Sequence, residues 1–324
     1  MKHRESIVSD TEYWVSAWQP IFSGHTIQAF RLPQRNSPAM KLVRYGTKGA
    51  EKPGLIDADG KIRDLSGKVS DIAGEVLTAA GLAKLRGLDP KSLPLVSGTP
   101  RLGAPLTGIG KFLCIGANYR DHIAESTNPI PIPAEPIVFN KWDTSIGGPN
   151  DPIMIPKGSQ KTDWEAELAI VIGKEARLID KDRALDHVAG YTICNDVSER
   201  EWQHKRMGQW QKGKACDGFG PLGPWLVTTD EIKDPQTLPI WLEVNGKRYQ
   251  NGNTKDMIFD CAFLVHYLSQ FFTLRPGDVI ATGTPAGVGA GVKPNPVFLK
   301  PGDKVRIGIG GLGEQNQEFV AFKG

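Results

Sequence analysis

The stretch DWEAELAIVIG, residues 163–173, constrains the fold more than any other part of the chain. Successive side chains of a strand point to opposite faces. Glu165, Glu167, Ala169 and Val171 therefore share one face, and Trp164, Ala166, Leu168, Ile170 and Ile172 share the other. Both faces are mainly apolar, so a strand here is expected to be covered on both sides. Two carboxylates about 7 Å apart along such a strand repel each other and cost several kcal/mol if desolvated bare. Something positive is expected between them. A divalent cation fits, because magnesium and calcium take hard oxygen ligands. The plainer alternative is an exposed strand end, with Lys157, Lys161 or Lys174 pairing the glutamates. A third candidate favours the cation. HVAGYTICND ends in Asn195-Asp196, a carboxylate at the mouth of another apolar strand. Three carboxylates leave positions open for water and a chelating substrate, as a catalytic hard-metal site requires.

The rest of the chain also reads mostly as strands. With 37 glycines and 24 prolines in 324 residues, it favours many turns and short strands over a helical bundle. KFLCIGAN, PIVFNKW, PIWLEVNG, DVIATGTP and DKVRIGIGG have strand character. Two segments here look helical: HIAES, with Asp121 as its N-cap, and DMIFDCAFLVHYLSQFF, ended by LRPGD. Upstream, KLVRYG begins a strand at Met40, and GLIDADGKIRDLS reads as a hairpin about Asp-Ala-Asp-Gly. Residues 70–87 have helical spacing, and a Pro/Gly-rich connector follows. The expected organisation is an N-terminal extension at 1–39, with Met40 an alternative natural start. A small domain at 40–108 and a main domain at 109–324 follow. No repeat of fixed period points to a solenoid or propeller.

Charge narrows the partners. Lysine and arginine number 39 against 36 aspartates and glutamates, and no basic block suggests nucleic acid or an anionic membrane. No apolar run reaches the length of a membrane span. MKHRESIVSDTEYW lacks the apolar core of a secretory signal. Cys114, Cys194, Cys216 and Cys261 form no CxxC pair, so neither a zinc knuckle nor a disulfide framework is expected. Reduced thiols in a cytoplasmic protein fit best.

Three further stretches carry chemistry. GANYRDHIAES places His122 and Glu125 three apart, neighbours on one helix face. A carboxylate orients imidazole and raises its basicity, which suits a general base; the alternative is a surface pair. GQWQKGKA nearly spells a phosphate-binding loop, but Ala215 replaces the Ser or Thr that would hold magnesium. The charged run SEREWQHKRM before it is no strand, so nucleotide binding is set aside. Lys214 is then a solvated lysine or a cation for charge developing on a substrate. TGTPAGVGAG, residues 282–291, lacks a GxGxxG order and reads as a tight loop whose amides approach a ligand.

From about Lys111 onward the chain resembles the fumarylacetoacetate hydrolase family. The blocks that carry the resemblance run in order: GANYRDHIAES, EPIVFNKWDTSIGGPNDPIMIP, DWEAELAIVIG, ICNDVSERE, KGKACDGFGPLGP and ATGTPAGVG. The resemblance implies an α+β, β-rich fold, a mixed rolled β-sandwich around the metal. A small N-terminal α+β domain like that of bacterial members would precede it, in a homodimer. It implies that Glu165, Glu167 and Asp196 bind magnesium or manganese, sites that calcium can also fill. His122 and Glu125 match the base dyad that activates water, and Lys214 the lysine that stabilises an oxyanion or enolate. Arg200, Gln203 and Thr284 match positions that hold the substrate, and Lys141 falls in a matching block. Ala215-Cys216 stands where many members have Ser-Phe, a departure that bears on substrate shape and leaves the metal site intact.

The implied chemistry is carbon–carbon bond hydrolysis of a 2,4-diketo acid. Water activated by His122 attacks C4, the C3–C4 bond breaks, and pyruvate leaves as its enolate. KLVRYG…GLIDADGKIRDLS and KACDGFGPLGPW look most like bacterial 2,4-diketo-3-deoxy sugar acid hydrolases, such as those acting on L-rhamnonate or fuconate derivatives. The rivals on the same scaffold are ureidoglycolate lyase, oxaloacetate decarboxylase and ketonic isomerase. A non-catalytic metal-binding protein is the alternative of a different class. The expected partner is a small 2-oxo acid, with neither nucleic acid nor membrane.

Overall fold

The structure is a computed structural model, and it describes residues 40–126 and 131–323. The extension expected at 1–39 lies outside the described residues. The chain opens with strands β1 (Lys41–Tyr45), β2 (Lys52–Ile56) and β3 (Ile62–Asp64), then helix α1 (Ala79–Arg86). Next come β4 (Phe112–Gly116), α2 (Arg120–Glu125), β5 (Ile137–Lys141), and the short strands β6 (Ile146–Gly147), β7 (Ile153–Met154) and β8 (Thr162–Asp163). The centre is β9 (Ala166–Ile172), β10 (Val188–Asn195), β11 (Ser198–Glu199), α3 (Arg200–Lys205), α4 (Gln211–Lys214) and β12 (Gly220–Thr228). The last part holds β13 (Pro239–Val244), β14 (Lys247–Asn253), α5 (Cys261–Phe271), β15 (Val279–Ala281), β16 (Lys304–Ile309) and β17 (Gly313–Val320).

A ten-stranded sheet runs β3-β2-β1-β12-β10-β9-β15-β4-β5, with β6 added beside β12. A five-stranded sheet runs β14-β13-β16-β17-β7, and β8 pairs with β11. The pairings are antiparallel except β15–β4, β12–β6 and β17–β7. The result is the strand-rich α+β fold expected from the sequence.

Strand β9 sits where both cores meet. All of its residues are buried. Ala166, Leu168, Ile170 and Ile172 join one core with Ile240, Leu242 and Ile307 of the five-stranded sheet and Leu264 and Leu268 of α5. Ala169 and Val171 join a second core with Leu42, Leu55, Leu77 and Leu82. Each large apolar side chain so buried contributes about 1.5–3 kcal/mol. The alternation that implied cover on both faces is therefore answered by two separate cores, and the strand is anchored from both sides.

Three expectations are corrected. The hairpin at 52–64 forms, but residues 40–108 do not close a sheet of their own. Lys41 pairs with Val227 and Leu42 with Leu226, so β1–β3 extend the large sheet. A boundary near 108 thus falls inside one sheet and one compact unit, Ser37–Gly324. Three short strands with one apolar face cannot bury it alone, and joining a larger sheet solves that. Second, Asp121 is not the cap of α2. Tyr119 takes that place, and Asp121 Oδ1 accepts from the N–H of His122 at 2.8 Å. Third, the helix expected over 70–87 is split: a single turn at Gly74–Leu77 precedes α1, which Thr78 caps by accepting from Gly81 N–H at 3.2 Å.

Candidate active site

The register of β9 against β10 builds the acidic cluster. Glu167 lies opposite Cys194, and Ala166 opposite Asn195. Just beyond these ends, Asp196 N–H donates to Glu165 O at 2.9 Å, and Asn195 Oδ1 accepts from Glu165 N–H at 3.1 Å. Two adjacent strands thus deliver all three carboxylates to one point. One oxygen from each of Glu165, Glu167 and Asp196 lies within 4.8 Å of the others, and all three side chains are buried.

The cations around them are not the lysines named as the plain alternative. Lys214 Nζ bridges Glu165 Oε2 at 2.6 Å and Asp196 Oδ2 at 2.8 Å. Arg200 Nη1 reaches Glu165 Oε1 at 2.7 Å. Lys141 Nζ stands 2.7 Å from Asp196 Oδ1, off the hydrogen-bond line, and that oxygen has no hydrogen-bond partner. Lys161 pairs instead with Glu201 at 3.6 Å. No cation among the described residues pairs with Glu167, whose Oε2 accepts only the N–H of Gly283, at 2.9 Å. With Asp163, the region holds four carboxylates against three cations.

That imbalance shows in the proton affinities. Burial pushes the Glu165 carboxyl up, but Lys214 and Arg200 outweigh it and hold it well below the usual carboxylate range. Burial pushes the Glu167 carboxyl well above that range, and the negative charges of Asp196 and Glu165 push it further. The site thus lacks about one positive charge, and Asp196 Oδ1 lacks an in-line donor. Three convergent hard oxygens with that deficit fit a divalent ion such as magnesium or manganese.

The proposed base stands in the same cavity. His122 Nδ1 is 2.7 Å from Glu125 Oε1. A carboxylate only accepts, so in the neutral ring Nδ1 carries the proton and Nε2 is the acceptor. Glu125 is itself held: its Oε2 accepts from Gly287 N–H at 2.7 Å. Gly287 has φ +107°, and a Cβ there would lie 2.0 Å from Tyr249 O. Gly291 packs on the same carboxylate, 2.4 Å from its Cδ when a Cβ is built.

The cavity measures about 530 Å³. His122, Glu125, Glu165, Glu167, Arg200, Gln203, Lys214 and Thr284 all line it. Two expected site residues differ in placement. Asp196 is behind Lys214 and does not line the cavity. Lys141, expected at the substrate, is fully buried behind Asp196; its ammonium donates to Lys214 O and to Val197 O, the latter at 3.2 Å. Thr284 donates its hydroxyl to Ala166 O at 2.8 Å and accepts from Gln250 Nε2 at 2.7 Å. Lys214 reaches the cluster because α3 and α4 pack closely at Gly213, where a Cβ would meet Glu199 O at 2.3 Å.

Comparison with known proteins decides the lineage. The family described as fumarylacetoacetate (FAA) hydrolase C-terminal matches residues 111–320. The chain belongs to this family. A Burkholderia lata protein, provisionally named a hydrolase, is 63% identical over 278 residues, covering 86% of this chain and 98% of that protein. A fumarylacetoacetate hydrolase from psychrophilic Exiguobacterium antarcticum superposes with a TM-score of 0.77 at 38% identity, covering 87% of this chain and all (100%) of that one. Maleylpyruvate hydrolase from Sphingobium sp. SYK-6, solved with manganese(II) and pyruvate, gives a TM-score of 0.72 at 28% identity, covering 88% and 100%. The protein is therefore an enzyme of the fumarylacetoacetate hydrolase family, within its range of hydrolases and isomerases.

In this family member the glycine-rich stretch after β15 works differently from the sequence expectation. Its amides grip the protein's own carboxylates. Gly283 N–H goes to Glu167, Gly287 N–H to Glu125, and Gly289 and Ala290 N–H to Asp163, at 2.7 and 3.0 Å. Asp163 was not singled out from the sequence, although it opens the stretch that was. It looks like an ordinary strand-start residue, and only the fold shows what surrounds it. His204 and Trp210, which also line the cavity in edge-to-face contact, were missed because His204 lies in the charged run SEREWQHKRM and Trp210 in GQWQKGKA, neither of which has periodicity.

Proposed function

We propose that this enzyme hydrolyses the C3–C4 bond of an acylpyruvate-like 2,4-diketo acid, releasing pyruvate and a second acid. One observation carries the reading: the His122–Glu125 dyad and the carboxylates Glu165 and Glu167 line one cavity together with Lys214 and Arg200. Glu165, Glu167 and Asp196 would hold magnesium or manganese, which when bound polarises the carbonyl of a 2-oxo acid. His122 Nε2 takes a proton from water, and Glu125 stabilises the imidazolium that results. The water oxygen bonds to C4, and the C3–C4 electron pair leaves with the pyruvate fragment as its enolate, which is then protonated. Lys214 has three N–H donors, two of them engaged by Glu165 and Asp196. The remaining one serves negative charge on the C4 oxygen.

The finer reading follows the resemblance of the N-terminal hairpin and of the KACDGFGPLGPW block: a 2,4-diketo-3-deoxy sugar acid, with 2,4-diketo-3-deoxy-L-rhamnonate the first substrate to try. A homodimer in the cytoplasm, acting on a free small molecule, belongs to the same proposal. The free cysteines agree with a reducing compartment. Among the described residues, no helix is long and apolar enough to cross a membrane.

The test follows the absorbance of a synthetic acylpyruvate with and without magnesium or manganese, and measures pyruvate. Metal-dependent loss of the diketone with stoichiometric pyruvate is expected. Release of urea from ureidoglycolate without loss of diketone would replace the hydrolase by a lyase. Bleaching of oxaloacetate alone would replace it by a decarboxylase.

A further inference from the structure

We infer that Asp163 is a positioning residue for the metal site, acting through Arg200. The inference rests on the metal-binding part of the proposed function. Asp163 is fully buried and does not line the cavity. Its Oδ2 accepts from Arg200 Nε at 2.7 Å, and the other end of the same guanidinium, Nη1, reaches Glu165 Oε1 at 2.7 Å. Arg200 therefore lies between two carboxylates, one a proposed metal ligand and one not.

The fold leaves Asp163 little freedom. In the β8–β11 pair Asp163 lies opposite Ser198, and Arg200 N–H donates to Lys161 O at 3.0 Å. Arg200 thus begins α3 beside the strand that carries Asp163. The carboxylate also accepts Trp164 N–H at 2.8 Å, Gly289 N–H at 2.7 Å and Ala290 N–H at 3.0 Å. Gly289 allows this approach, since a Cβ there would stand 2.6 Å from Asp163 Oδ1.

The consequence is a division of charge. A guanidinium facing Glu165 alone would neutralise it and compete with a divalent ion for its oxygens. With Asp163 opposite, the same positive charge is shared between two anions. The fixed fork is also held in one orientation. Glu165 then keeps negative charge for a metal while the buried arginine stays paired. Partners of this kind, one step removed from the ion, change metal affinity by about 10–100-fold when mutated.

Titration of the purified, metal-stripped full chain with manganese, followed by electron paramagnetic resonance of the free ion, tests this without an activity assay. Asp163→Asn is expected to weaken binding at least about tenfold. The same substitution in an Arg200→Gln background is expected to cost clearly less, because the group it acts through is gone. Arg200→Lys, which keeps the charge but cannot span both carboxylates, is expected to weaken binding as well, and serves if Asp163→Asn fails to fold. Equal losses in the two backgrounds would overturn the inference, since a bare charge effect or a loosened loop adds independently. So would an Asp163→Asn or Arg200→Lys protein that binds manganese within twofold of wild type. A wild-type protein that binds no manganese overturns the metal site and this inference together.

Discussion

Glu167 and Glu165 stand two residues apart at the head of β9, yet they have opposite electrostatic surroundings. Glu165 is paired with Lys214 and Arg200, whereas Glu167 has no ion-pair partner among the described residues and accepts only the amide of Gly283. The deficit therefore rests on Glu167. Burial, together with Asp196 and Glu165, raises the Glu167 carboxyl well above the usual range. A group that binds its proton more tightly folded than unfolded stabilises the fold below its unfolded pKa and loses that contribution as pH rises toward the folded one. The metal-free protein is expected to lose thermal stability as pH rises from the ordinary carboxylate range upward, and magnesium is expected to restore it. Scanning calorimetry at several pH values, with EDTA or magnesium, checks this. Glu167→Gln should flatten the pH dependence of the metal-free form and abolish the response to magnesium.

His122 is separated from the metal ligands by its role and by its partners. Its Nδ1 is committed to Glu125, so substitution removes a base and leaves the ligand set intact. His122→Asn is expected to lower kcat by about 10²–10⁴, with manganese affinity within twofold of wild type. A parallel loss of manganese binding would show that the two parts of the site are not separable.

Gly287 combines a positive φ with contact on two sides. An alanine there meets Tyr249 O at 2.0 Å and strains a φ of +107°. The loop has to shift, and Glu125 loses the N–H that holds its second oxygen. Gly287→Ala is expected to cost at least about 1–3 kcal/mol in urea denaturation and to lower kcat about tenfold or more through the dyad.

Lys141 is a buried cation whose loss leaves Asp196 Oδ1 without its counter-charge, while Lys214 still holds Oδ2. Removing one partner of a buried ion pair costs about 3–5 kcal/mol. Lys141→Met is therefore expected to destabilise the metal-free protein by that order. Magnesium, by placing positive charge at the cluster, should recover part of it. Denaturation with and without magnesium measures both numbers.

What could be read from the sequence was local. The alternation in Ala166–Ile172 announced a strand covered on both faces, and the glutamates at its head announced a counter-charge. His122 and Glu125 meet because three residues along a helix is a contact distance. What escaped depends on chain segments distant in sequence. Strand β12 carries Pro221 and Pro224, which lack the N–H of a regular ladder, and its pairing with β10 shifts register between Tyr191 and Ile193. It did not look like a strand, so nothing announced that β1 would pair with it. Strands β14 and β17 are polar enough to pass for loops. The counter-charges are not the lysines nearby in sequence: Lys214, Lys141 and Arg200 come from three separate elements, α4, β5 and α3. A cation's address in the fold is set by helix packing, as at Gly213, and no local pattern encodes it.

The stretch that follows β15 fastens the base dyad, the ion cradle and the arginine anchor with successive amides. Those three parts therefore cannot be adjusted one at a time by changing that stretch: an insertion or a bulkier residue would loosen them in unison. Divergence toward new substrates is easier where the wall is not shared, at His204 of α3 and Trp210 just before α4. A designer wishing to retune this enzyme would start there and leave the glycines alone.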